Sequence, residues 1–160
     1  ETIADALLRR TPNLLIDLSQ SSTGIRGMAF AKAHHIALVT MATPVSLRNT
    51  RLLIKEIHAL RGTDAPIHLI VNQRGILPKE EIRHADIAQA LGIPPIAEIS
   101  YLPDIFARLD MFEGQSFLQE SEKILPCMNE IVQKITGKST THKNDVGGNQ
   151  SLFKRVLGRK

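Results

Sequence analysis

An α/β fold built on a parallel sheet is what this chain of 160 residues predicts. Three observations carry that expectation. Short runs rich in Ile, Val and Leu recur along the chain, and segments with helical spacing lie between them. The middle runs are nearly continuous in apolar residues, as strands covered on both faces are. Strand and helix in alternation imply crossover connections, and crossover connections imply parallel pairing.

The predicted elements follow in order. Four runs read as strands: Leu14-Leu15-Ile16, Ile36-Ala37-Leu38-Val39, Ile67-His68-Leu69-Ile70-Val71 and Ile96-Ala97-Glu98-Ile99. Between the second and third, Leu47, Leu53, Ile54, Ile57 and Leu60 keep helical spacing, with Ser46 placed to cap the start and Gly62 following the end. A further helix is predicted from Lys79 to Leu91, begun after Pro78 and stopped by Gly92, with Ile82, Ala85 and Ala88 on one face. Residues 104–113 and 116–135 also read as helices. Pro126 within the second predicts a kink or a restart near Leu125. Gly137 ends the globular part, so residues 1–137 form one predicted domain. Residues 138–150, with Gly147-Gly148, are polar and read as a flexible linker to residues 151–160.

Composition excludes several classes. The one cysteine, Cys127, cannot support a disulfide framework or a multi-cysteine zinc site. No apolar run reaches the ~18–20 residues of a membrane span. The chain opens on Glu1 with no methionine before Met28, which predicts a piece of a longer protein. The formal net charge of +4 is unevenly spread. Residues 1–137 hold 14 of the 20 Lys and Arg and 15 of the 16 Asp and Glu. Residues 138–160 hold the rest, namely Lys138, Lys143, Lys154, Arg155, Arg159 and Lys160 against Asp145. A near-neutral body with a basic tail points to an anionic partner of the tail, membrane or nucleic acid, or to a solvated terminus.

In an open α/β sheet, ligands sit beyond the carboxyl ends of the strands. The candidate residues are therefore those just after each run. Asp17 closes the first, as an acid that could hold Mg²⁺ directly or through water. Thr40-Met41-Ala42-Thr43-Pro44 and Ser46 follow the second. Asn72-Gln73-Arg74-Gly75 follow the third, where an asparagine amide can match a purine edge. Ser100-Tyr101-Leu102-Pro103-Asp104 follow the fourth. Each has an ordinary alternative: Asp17 and Asp104 as caps, Asn72 as a loop residue. A glycine-rich phosphate loop with its lysine is missing. Gly137-Lys138-Ser139 stands in the wrong order, after a helix and before a linker. Hydrolysis of ATP is therefore not expected of this chain. His34 and His35 are adjacent, so in extended backbone they face opposite ways and do not readily share a metal. Cys127 reads as a small core residue, and Asn149-Gln150-Ser151 as a chance sequon.

Several of these stretches resemble the MinD/ParA class of deviant-Walker ATPases. They are Leu15-Ile16-Asp17-Leu18, Ile36-Ala37-Leu38-Val39-Thr40, Pro44 to Leu53, Leu69-Ile70-Val71-Asn72-Gln73, Leu91-Gly92-Ile93-Pro94, Tyr101-Leu102-Pro103-Asp104 and Glu113-Gly114-Gln115. Within the class the chain looks most like the pilus-assembly branch called CpaE or TadZ. The cues are Ser46-Leu47-Arg48-Asn49, Leu60-Arg61-Gly62 and Val71-Asn72-Gln73. The likeness covers residues 1–137, the second half of such a domain, without the phosphate loop. The resemblance implies ATP and Mg²⁺ as cofactors of the parent domain, though none is expected in this chain alone. It gives Asp17 the indirect Mg²⁺ role, Asn72 the adenine and Pro103-Asp104 the loop over the base. MinD has Asp-x-Pro-Ala-Gly where this chain has Asp17-Leu18-Ser19-Gln20, and many pilus-branch members keep proline where Ser19 stands, which argues against catalysis.

The tail carries its own signal. At 100° per residue, Leu152, Phe153, Val156 and Leu157 share an arc of about 140°, with Lys154 and Arg155 outside it. Arg159 and Lys160 suit the carboxyl end of the helix dipole. This pattern is that of a short interfacial helix, and it resembles the membrane-targeting helix of MinD. Apolar burial at roughly 1.5–3 kcal/mol per side chain, and about 1 kcal/mol per cation near anionic lipid, are offset by ~1–2 kcal/mol per ordered residue. One tail therefore binds marginally, and a homodimer with two gains avidity of ~10²–10⁴. The expectation is a cytoplasmic scaffold for Tad/Flp-type pilus assembly, peripheral on the inner face of the bacterial cytoplasmic membrane, in contact with pilus components. The alternatives are a partition or division-site ATPase of the MinD/ParA kind lacking its first half, and a DNA-binding tail. The tail's apolar stripe, with Phe153 its one aromatic, has no use on phosphates, and no specific nucleic acid is expected.

Overall fold

Three parallel strands lie in the order β1-β2-β3, with helices packed against them. They are β1 (Ile36–Met41), β2 (Ile67–Arg74) and β3 (Pro95–Ser100). Helix α1 (Thr23–Lys32) precedes the sheet, α2 (Pro44–Arg61) connects β1 to β2, and α3 (His84–Leu91) connects β2 to β3. The computed structural model describes residues 9–11, 13–18, 23–105, 107 and 124–138. These fall into two units, one ending at Leu102 and one beginning at Pro103. The predicted α/β class and parallel sheet are both present.

Local chemistry sets the boundaries of α2. Thr43 is the N-cap, its side chain accepting from the Ser46 N–H at 3.3 Å, and Pro44 occupies the first turn. Ser46 is thus the capped residue rather than the cap. Gly62 ends the helix with φ of 83°, a backbone conformation that costs a side chain but not glycine. Leu47, Ile54 and Ile57 of α2 meet Leu38 of β1 and Leu69 and Val71 of β2 in one core, which Phe30, Ile87 and Leu91 complete. Arg61 ties α2 to α1: its guanidinium donates to the carbonyls of Phe30 and Ala33, where α1 ends.

β1 and β2 pair without interruption from Ile36↔Ile67 to Met41↔Asn72. Their burial differs. β2 is buried at Ile67, Leu69, Ile70 and Val71, the continuous pattern expected. β1 is buried only at alternate residues, Ile36, Leu38 and Thr40, while Val39 is 61% exposed. The expectation of two covered faces therefore fails for β1, an edge strand among the described residues.

Two further expectations are corrected. Residues 13–18 form no strand, and Leu15 is 96% exposed. A strand needs a neighbour to bond its backbone, and among the described residues none pairs with this run, of which only Leu18 packs on the core. The helix expected from Lys79 begins at His84 instead. Tertiary bonds hold the preceding residues out of helix: Ile82 N–H donates to Ala42 C=O at 3.1 Å, and Arg74 donates to Ile82 C=O at 2.7 Å. Gly92 stops α3 in the left-handed region, as expected.

In the second unit, residues 103–105 and 107 are helical, and α4 (Leu125–Thr136) carries Pro126 in its first turn. A helix start at Leu125 agrees with the expected break near Pro126, since proline is tolerated in the first turn. The remainder of the helices expected over residues 104–113 and 116–135 lies outside the described residues. Among the described residues, no helix is long and apolar enough to cross a membrane.

Candidate functional site

The carboxyl end of β2 is the most constructed part of the sheet. Pairing with β3 runs Ile70↔Ala97 and Val71↔Glu98, then resumes at Arg74↔Ser100. Asn72 and Gln73 therefore oppose Ile99 alone, which is a β-bulge. Gln73 takes the extra step with φ of 56°, and among the described residues no other non-glycine has positive φ. The Asn72 side chain supports that turn, its Oδ1 accepting the Gln73 N–H at 2.8 Å. The ladder closes again where Tyr101 N–H donates to Arg74 C=O at 2.8 Å.

Ion pairs brace the bulge from behind. Arg74 Nε lies 3.2 Å from Glu98 Oε2, and Arg74 Nη1 lies 3.3 Å from Glu81 Oε2. Glu98 Oε1 meets His84 Nδ1 at 2.8 Å. Glu81 Oε1 accepts the Gly75 N–H at 2.8 Å. One guanidinium thus joins β2, β3 and the loop into α3. Such charge-assisted bonds in a half-buried setting fix loop geometry more than isolated surface pairs do. Arg74 followed Asn72 in sequence without distinguishing itself. Its role follows from partners seven and twenty-four residues away, which only the register brings together.

The predicted ligand residues have different fates. Asn72 is half-buried, with its carbonyl engaged on the bulge and its amide nitrogen without a protein partner among the described residues. Two N–H donors are thus left for the acceptor nitrogen of a ring. Asp17 is exposed in the unpaired segment 13–18, and no bond among the described residues joins it to Asn72. Pro103 and Asp104 are exposed at the start of a helical turn in the second unit. The end of β1 serves structure: Thr43 caps α2, and Thr50 donates to Thr40 Oγ1 or the Ser46 carbonyl, each at 2.9 Å. Leu152, Phe153, Lys154, Arg155, Val156, Leu157, Arg159 and Lys160 lie outside the described residues.

Among the described residues, no three His, Cys, Asp or Glu side chains converge as a metal centre. Cys127 is half-buried on α4. Burial, followed by the charge of Glu130, raises its thiol pKa, and Lys134 partly opposes them. That keeps it a thiol, consistent with a packing role. Comparison with protein-family models, with curated proteins and with solved structures gave no match.

Proposed function

We propose that the chain is the carboxyl-terminal portion of an ATPase-like domain of the MinD/ParA class, in its pilus-assembly branch. In this reading it acts as a membrane-associated scaffold rather than a hydrolase. The observation that supports it most is the end of β2, where a braced bulge leaves the Asn72 amide nitrogen available at the ligand-binding edge of a parallel sheet. Asn72 would recognise a base edge, with Asp17 contributing to Mg²⁺ once a phosphate-binding half is supplied. Among the described residues, the unpaired edge of β1 and the exposed Leu15 and Ile16 fit this reading. Residues 151–160 would carry the assembly to anionic lipid, in dimeric form for avidity.

Sedimentation with vesicles of mixed neutral and anionic phospholipid tests the membrane half of the reading. The full chain is expected to pellet, and the Phe153→Glu, Leu157→Glu double variant to stay in solution. Equal pelleting of both would overturn it, and loss of DNA affinity without loss of lipid binding would favour a nucleic-acid tail. Addition of ATP and Mg²⁺ is expected to leave the melting temperature of the chain unchanged, because the triphosphate has no loop to hold it.

A further inference from the structure

The amino ends of β1 and β2 bring together two imidazoles that are 33 residues apart in sequence. His35 Nδ1 and His68 Nε2 are separated by 3.1 Å, with ring centroids 5.2 Å apart and ring planes inclined at 44°. His68 is the second residue of β2 and His35 immediately precedes β1. The pairs Ile36↔Ile67 and Ala37↔His68 hold both backbones, and Ile36 N–H donates to Pro66 C=O at 3.0 Å. The backbones that carry the two rings are therefore held by the sheet.

We infer that His35 and His68 form a two-imidazole clamp for a borderline divalent transition ion, Zn²⁺, Ni²⁺ or Cu²⁺. An ion 2.0–2.1 Å from each nitrogen would see them about 98° apart, within the range of adjacent ligands in tetragonal and distorted tetrahedral sites. Without metal, the same two nitrogens share one proton, since one ring must donate and the other accept. The ion would replace that proton while lying off the line between the two nitrogens, so each ring turns to aim its lone pair at it. With no third His, Cys, Asp or Glu ligand in reach among the described residues, water completes the coordination. The site is thus exchangeable and open to solvent. It lies at the opposite ends of the strands from Asn72 and is independent of the nucleotide reading.

Calorimetric titration of the full chain at neutral pH with zinc, nickel or copper chloride tests the clamp. A Cys127→Ser background removes the thiol as a competing ligand. The expected result is one saturable ion per chain, with affinity lowered at least tenfold by either His35→Gln or His68→Gln and unchanged by His34→Gln. Melting temperature should rise with metal in the parent protein and stay flat in both clamp variants. Their metal-free melting should match the parent, which separates lost ligation from lost folding. Equal affinity in all the proteins, or no saturable binding at millimolar metal, would overturn the inference.

Discussion

Val39 and Ile70 are register partners on adjacent strands, yet Val39 is 61% exposed and Ile70 only 5%. Both come from apolar runs that look alike in sequence. The difference teaches that such a run reports what a strand can tolerate, whereas burial of its second face depends on the strand's place in the sheet. β2 has a neighbour on each side. Among the described residues β1 has one, and Val39 on its second face is exposed.

The largest expected effect bears directly on this pair. Ile70→Ala should lower unfolding stability by about 2–5 kcal/mol in denaturant titration, because it opens a cavity in packed surroundings. Val39→Ala should stay within about 0.5 kcal/mol. Similar losses at both sites would break the comparison. Arg74→Met comes next. It leaves Glu81 and Glu98 without their shared cation, and a loss of about 1.5–3 kcal/mol is expected. Slower exchange of β2 than β1 backbone amides by NMR should accompany the parent protein, and that contrast should shrink in the Arg74 variant. On the covered face of β1, Thr50→Val removes a buried hydroxyl bonded to Thr40, at about 1 kcal/mol. A cost near zero would mean that the covered face is as forgiving as the exposed one.

The smallest effect carries the inside–outside contrast to α4, where Ile131 is buried and Val132 is 42% exposed. Cys127, between these extremes, has a raised pKa, so its thiolate fraction at mildly alkaline pH falls below that of a free cysteine. Alkylation by iodoacetamide should accordingly be slower than for free cysteine near pH 8 and should accelerate at higher pH. Glu130→Gln removes a charge that raises the pKa and should move the rate profile to lower pH.

What could be read in the sequence was whatever local chemistry decides. The end of α2 follows from Gly62, the stop of α3 from Gly92, and the start of α4 at Leu125 from Pro126, while the cap of α2 lies at Thr43 rather than Ser46. What resisted reading depended on partners far along the chain. Leu14-Leu15-Ile16 has strand composition but no neighbour to pair with. Residues 79–83 have helical composition but are held by Ala42, Arg74 and Glu81. Asn72 was recognisable as a strand-end amide, while the bulge that turns it and the Arg74 brace behind it follow from register. The two imidazoles were missed for the same reason. Adjacency of His34 and His35 drew attention, whereas the partner that matters lies on the next strand.

The Arg61 guanidinium that closes α1 has a consequence for biosynthesis. The carbonyls at Phe30 and Ala33 are made early, and their donor is added 28 to 31 residues later. While the chain is growing, the first helix cannot be sealed until the second has left the ribosomal tunnel. Until then water is the partner of those two carbonyls, as it is at any uncapped helix end.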